Sequence, residues 1–144
     1  MGMTCACHNL RRASRAVTQH FDAHFEPLDL KATQFTILAA LGWSDAPTIT
    51  ELADTLVLEQ SSLSRNLAVL RRRGLVHVGT GKDGRSRTVT LTSAGEALLA
   101  EGFVLWQRAQ RTYDKALGAQ LGGSLPVLRK LTRVAQSTVK APGS

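Results

Sequence analysis

Hydrophobic positions along this 144-residue chain change period several times, and each change marks an element. From about Asn9 to Phe25, the apolar-leaning positions Leu10, Ala13, Val17, Phe21 and His24 recur every three or four residues. That spacing is one face of a helix, with Arg11, Arg12 and Arg15 lying elsewhere on it. Pro27 is expected to close the segment, because the residue before a proline is pushed out of the helical region. A second helix is expected near Ala32 to Leu41, carrying Phe35, Leu38 and Leu41 and ending at Gly42. Asp45-Ala46-Pro47 reads as a loop.

The next stretch, Thr48 to Thr92, is the most ordered in pattern. Thr48-Ile49-Thr50-Glu51 is a capping box, in which a hydroxyl and a carboxylate satisfy free amides at a helix start. Ile49, Leu52, Ala53 and Leu56 then mark the buried face of a short helix. After a break at Val57-Leu58, a further helix is expected from Gln60 to Arg73, with Gly74 as its left-handed C-cap. Leu63, Leu67 and Leu70 form its apolar stripe. Ser61, Arg65 and Arg72 fall on the opposite side, flanked by Ser62, Val69 and Arg73. A strand is expected from Leu75 to Gly79 and another from Arg87 to Leu91, where Val89 and Leu91 alternate with Thr88 and Thr90. Between them Asp83-Gly84 is a hairpin signal, since both residues tolerate positive φ.

Beyond the hairpin, Thr92 is expected to cap a long helix reaching about Leu117, with Leu98, Phe103, Leu105, Trp106, Ala109, Tyr113 and Leu117 as its apolar and aromatic positions. Its length would be roughly 38 Å, more than a small core needs. Gly118 and Gly122-Gly123 are expected to break it. Ser124 would cap a last helix, with Pro126 in the first turn and Leu128, Leu131, Val134 and Ala135 as its stripe. Ala141 to Ser144 should fray.

Charge gives the pattern a purpose. The formal net charge is +7 and the pI about 10.3, which favours a polyanionic partner. Between Gln60 and Thr90 stand seven Lys or Arg residues and one acid, Asp83. A helix presenting hydroxyls and arginines, followed by a basic hairpin, suits the phosphates and base edges of double-stranded DNA. The expected contacts are Gln60, Ser61, Ser62, Ser64, Arg65, Arg72 and Arg73 on the helix, and Lys82, Asp83, Arg85 and Arg87 on the hairpin. Asp83 is read as orienting the Arg85 guanidinium. No apolar run approaches the ~18 residues of a membrane span. No signal peptide is recognisable, and two cysteines make no disulfide framework, so a reduced cytoplasmic protein is expected.

The series Leu58-Glu-Gln-Ser-Ser-Leu-Ser-Arg-Asn-Leu67, Leu70-Arg-Arg-Arg-Gly-Leu-Val76, Asp83-Gly-Arg-Ser-Arg87 and Val89-Thr-Leu-Thr-Ser-Ala-Gly95 resembles the winged helix-turn-helix core of the MarR family. The resemblance extends over roughly Asn9 to Thr138. It implies a mainly α fold of the α+β winged-helix kind, one domain over 1–144. Within it, 32–92 would be the winged helix-turn-helix DNA-binding lobe, and 9–26 and 93–138 the N- and C-terminal helices of a dimerisation region. It also implies a homodimeric transcription regulator, a repressor acting on an inverted repeat. Two recognition helices about 34 Å apart would read that repeat. Members of the family bind small aromatic acids or phenols between the dimer helices and the DNA-binding lobe. Arg15, His20, Phe21, Phe35 and Trp106 are the residues that could line such a pocket here.

Cys5, Cys7 and His8 are the chemically unusual residues. In the organic-hydroperoxide-sensing branch of the family, a reactive cysteine precedes the arginine of an Ala-Ser-Arg-Ala segment by eight residues. Ala13-Ser14-Arg15-Ala16 is present here, and the residue eight before Arg15 is Cys7. That branch packs tyrosines around the cysteine, whereas this chain has only Tyr113, with Arg11 and Phe21 at two of the positions concerned. A helix N-terminus favours a thiolate. Two thiols and an imidazole could also take a soft metal ion, and both cysteines could be inert. A Cys5–Cys7 bridge would be strained. His20 and His24 sit one turn apart, a weak metal pattern without a carboxylate.

Two other classes compete with a DNA-binding regulator. A small thiol oxidoreductase using Cys5 and Cys7 would lack a Cys-x-x-Cys motif, a cofactor-binding glycine loop and paired catalytic carboxylates. A nonspecific DNA-compacting protein would explain the charge but neither the hairpin nor the long helix. The chain is therefore read as no enzyme and as needing no cofactor.

Overall fold

The periodicities resolve into six α-helices and one hairpin in a computed structural model, which describes residues 4–140. In order they are α1 (Ala6–Phe25), a 3-10 turn (Glu26–Leu28), α2 (Ala32–Gly42), α3 (Ile49–Leu56), α4 (Gln60–Arg72), β1 (Val76–Thr80), β2 (Arg87–Leu91), α5 (Ser93–Leu117) and α6 (Ala119–Lys140). The segment Ala141 to Ser144, expected to fray, lies outside the described residues. One compact unit runs up to Trp106 and a second starts at Gln107, the division falling within α5.

In the first unit, the stripes expected to be buried meet in one core. Phe25, Leu30, Ile37, Leu38, Leu52, Leu63, Leu70 and Val89 are all fully buried. Each such side chain contributes about 1.5–3 kcal/mol on leaving water. Because α2, α3, α4 and β2 each supply members, the helix-turn-helix and the hairpin are one packed body. A run of aromatic contacts joins α1 to α2 and to the start of α5. Ring centroids are 6.3 Å apart for Phe21–Phe25, 4.6 Å for Phe25–Phe35, 5.4 Å for Phe35–Phe103 and 6.3 Å for Phe103–Trp106.

α1 ends at Phe25 as expected, but Pro27 does not end it in the expected way. Glu26, although it precedes Pro27, stays helical at φ −51° and ψ −42°. The chain tightens into a 3-10 turn in which the amide of Asp29 donates to the Glu26 carbonyl at 2.9 Å. Pro27 sits in the first turn, where its missing N–H breaks no bond. The chain turns away at Asp29, which is left-handed at φ +50°. The start of α2 is then fixed by the Asp22 carboxylate, which accepts from the Ala32 amide at 2.6 Å.

In the second unit the expected break at Gly122-Gly123 is absent. Gly118 alone takes positive φ, +50°, and ends α5; α6 resumes at Ala119 and passes through both later glycines. Ser124 is therefore not a cap: its hydroxyl donates to the Leu121 carbonyl at 2.8 Å. Pro126 lies inside the helix rather than in its first turn, and having no N–H it cannot donate to the carbonyl four residues earlier. Leu125, Leu128, Leu131 and Val134 of α6 are exposed in the single chain.

Candidate nucleic-acid interface

The helix-turn-helix is set by local chemistry at each joint. Thr48 and Glu51 form the capping box at the head of α3: the Glu51 amide donates to Thr48 Oγ1 at 3.1 Å and the Thr48 amide to Glu51 Oε2 at 2.8 Å. α3 stops at Val57, left-handed at φ +53°, and the Leu58 amide returns to the Ala53 carbonyl at 2.9 Å. α4 then starts at Gln60, whose side chain donates to Thr50 Oγ1 at 3.3 Å. Leu63, Leu67 and Leu70 are buried, so Ser61, Ser64, Arg65, Arg71 and Arg72 are left exposed, with Ser62 half-buried.

The hairpin is tied to the same helix-turn-helix. β1 and β2 are antiparallel, in register from Val76 opposite Leu91 to Thr80 opposite Arg87. An isolated bridge joins Thr48 to Thr88, and the Val89 amide donates to the Pro47 carbonyl at 3.0 Å, so the cap of α3 is attached to β2. At the tip only Gly84 takes positive φ, +70°. Asp83 instead gathers the turn on one oxygen, Oδ1. It accepts from the Arg85 amide at 2.9 Å, the Ser86 amide at 2.8 Å and the Ser86 hydroxyl at 2.8 Å. Those bonds, led by the Ser86 amide, hold the Asp83 carboxyl below its ordinary pKa of 3.8. Asp83 thus meets Arg85 at its backbone amide.

Between α4 and β2 the fold opens a groove of about 870 Å³, lined by Ile49, Ser64, Arg65, Leu67, Ala68, Val69, Arg71, Arg72, Val78 and Arg87. Four arginines line it and no acid does. Lys82 and Arg85 stand exposed at the tip beyond it, and Gln60, Ser61 and Ser62 lie towards the N-terminus of α4. Among the described residues the ion pair found is Lys31–Asp22, at 4.0 Å, so none of the groove arginines is neutralised by a carboxylate. Such a groove suits a polyanion. Arg71 belongs to it although the sequence reading did not select it; the run Arg71-Arg72-Arg73 was the available signal. Arg73 is placed differently from its two neighbours. Its guanidinium is engaged with the protein, donating to the Asp29 carbonyl at 2.6 Å and the Leu28 carbonyl at 3.0 Å.

A second cleft, of about 460 Å³, is lined from α1, α2 and α5 by Val17, Thr18, Phe21, Phe25, Ala32, Phe35, Thr36, Ala39, Trp43, Phe103 and Trp106. Phe21, Phe35 and Trp106 are the expected members; Arg15 and His20 do not line it. His20 packs its ring against His24 at 4.5 Å and edge-on to Phe21 at 5.7 Å. Trp43, at the end of α2, is 83% exposed. Cys5 is the N-cap of α1, Cys7 and His8 lie in its first turn, and both thiols are exposed and free. Among the described residues no group of three His, Cys, Asp or Glu side chains is gathered so that it could hold a metal ion.

This architecture is shared with known regulators. The MarR family pattern matches residues 28–86. The transcriptional regulator MosR of M. tuberculosis is 33% identical; the match covers 96% of this chain and 98% of that one, with a TM-score of 0.79. MosR in complex with DNA gives 34% identity, 91% and 98% coverage, and a TM-score of 0.79. BpsR of Bordetella bronchiseptica, whose DNA binding is regulated by 6-hydroxynicotinic acid, gives 25% identity, 90% and 94% coverage, and a TM-score of 0.81. No curated protein matches significantly. The chain belongs to the MarR family: it is a winged-helix, DNA-binding transcriptional regulator rather than an enzyme.

Proposed function

We propose that the chain works as a homodimeric repressor, binding an inverted repeat and released by a small-molecule or oxidant signal. The observation that carries the reading is the groove in which Arg65, Arg71, Arg72 and Arg87 converge with no acid among the lining. On this reading residues 32–92 are the DNA-binding lobe. Gln60, Ser61, Ser62, Ser64 and Arg65 face base edges and nearby phosphates, Arg71, Arg72 and Arg87 hold phosphates, and Lys82 and Arg85 at the wing tip reach into the neighbouring minor groove. Segments 9–26 and 93–138 form the dimer. The exposed Leu10 and Val17 of α1, Val104 and Leu117 of α5, and Leu125, Leu128, Leu131 and Val134 of α6 support it, since apolar surface of that kind is normally covered.

The aromatic cleft is the proposed effector site. BpsR, a regulator of the same fold whose DNA binding responds to an aromatic acid, supports that assignment. The lining supplied by this chain contains no charged side chain, which favours an uncharged planar ring over a carboxylate. Cys7, exposed in the first turn of α1, is the proposed point of entry for an oxidant signal.

The test is selection of duplexes from a random library, followed by footprinting. A short protected inverted repeat is the expected result. Uniform coverage would make the protein a compacting factor, and no protection would remove the DNA-binding reading altogether.

A further inference from the structure

Arg73 stands in a run of three arginines, and charge counting assigns all three to DNA. The structure separates them. Arg71 and Arg72 line the basic groove, whereas Arg73 lines a different pocket of about 360 Å³ on the far flank of α4. That pocket includes three carboxylates, Asp22, Glu26 and Asp29, against the cations Arg73 and Lys31, the latter paired with Asp22 at 4.0 Å, so its balance is acidic where that of the groove is wholly basic. Within it the planar fork of Arg73 meets two successive carbonyls, those of Leu28 and Asp29, at 3.0 and 2.6 Å. Both lie at the end of the 3-10 turn, where helical carbonyls lack intrahelical donors and attract a cation.

The neighbouring residue is tied to the other side. Gly74, left-handed at φ +69°, ends α4. Its carbonyl accepts from the Thr92 hydroxyl at 2.6 Å, and the Leu75 amide returns to Leu70 at 3.0 Å. The last turn of α4 is therefore gripped between the turn that precedes α2 and the residue that caps α5.

We infer that Arg73 is a positioning residue for operator recognition: its clasp on Leu28 and Asp29 sets the angle at which α4 enters the groove, without touching DNA. This rests on α4 being the reading helix. A base-reading helix must be held in one orientation before contact, or the ordering cost is subtracted from specific binding. Nonspecific binding, which is electrostatic and tolerant of angle, needs no such hold.

The test compares wild type with Arg73→Gln and Arg73→Lys. The probes are the duplex that wild type selects from a random library and a scrambled duplex of equal length, each titrated over a range of salt. Loss of two charge-assisted bonds per protomer is expected to weaken Arg73→Gln on the selected duplex about ten-fold. Affinity for the scrambled duplex and the salt slope stay at wild-type values, and Arg73→Lys recovers part of the loss. A fall on both duplexes with a slope reduced by ~0.9 per lost contact would make Arg73 a phosphate ligand and overturn the inference. A proportional fall on both with the slope unchanged would mean that only the folded fraction dropped, and would overturn it too, as would no change. Arg65→Gln, run alongside, distinguishes the underlying reading: wild-type binding by that variant would remove α4 as the reading helix.

Discussion

Asp83 and Ser86 are joined twice, the amide and the hydroxyl of Ser86 both donating to Asp83 Oδ1 at 2.8 Å. Together with the bond from the Arg85 amide, they make the acid the organiser of a basic wing tip. Asp83→Ala is expected to weaken operator binding about five-fold although it removes a negative charge, because Arg85 must then be ordered on contact. A tighter complex would refute this. The sign of the pH effect follows from the lowered carboxyl pKa. The contribution of Asp83 is complete above the ordinary carboxylate range and fades only as pH falls through a value below 3.8. The amide resonances of Arg85 and Ser86 should hold their positions down to that range and move below it.

Arg65 projects from the exposed face of α4 into the basic groove. If it reads a guanine, Arg65→Ala costs about 1–3 kcal/mol on the selected site and much less on scrambled DNA. Paired titrations on the two duplexes decide it: equal losses would reduce Arg65 to a phosphate contact.

The parts of the fold that were legible in sequence are those written in local chemistry. The Thr48–Glu51 box, the Leu63, Leu67 and Leu70 stripe, Gly74 as a left-handed cap and Thr92 as the cap of α5 each depend on residues within a few positions. Thr92 Oγ1 indeed accepts from the Gly95 amide at 3.1 Å. What was hidden depends on distant partners. Arg73 turns inward because of carbonyls 44 and 45 residues earlier, which no periodicity reveals. Arg71 enters the groove because β2 closes its other side. The Gly122-Gly123 misreading has a different cause: glycine permits a break but does not impose one, and the left-handed turn had already been taken at Gly118.

Gly95, buried in the first turn of α5, lies against the backbone of Leu75; an added Cβ would overlap the Leu75 carbonyl. Backbone cannot swing aside as a side chain can. Gly95→Ala is therefore expected to destabilise the protein by about 1–3 kcal/mol, read as a lower midpoint in urea unfolding. A wild-type midpoint would show that α5 can move freely from the end of α4.

Oxidation at Cys7 provides a further test. A hydroperoxide would transfer oxygen to the thiolate, giving a sulfenic acid and the corresponding alcohol. Operator affinity should fall by roughly ten-fold or more and return with thiol reductant. Cys7→Ser should bind DNA normally and ignore the oxidant, while Cys5→Ser matters less unless Cys5 resolves the sulfenic acid. Wild-type protein that stays on its operator after stoichiometric hydroperoxide would leave the aromatic cleft as the sole proposed input.

The chain contains two tryptophans, Trp43 and Trp106, and both line that cleft. The intrinsic tryptophan emission of the whole protein consequently originates at the proposed effector site, from one indole largely in water and one partly enclosed. A planar compound entering between them would quench or shift the emission without any label, so a ligand library can be screened by fluorescence before a single operator sequence is known.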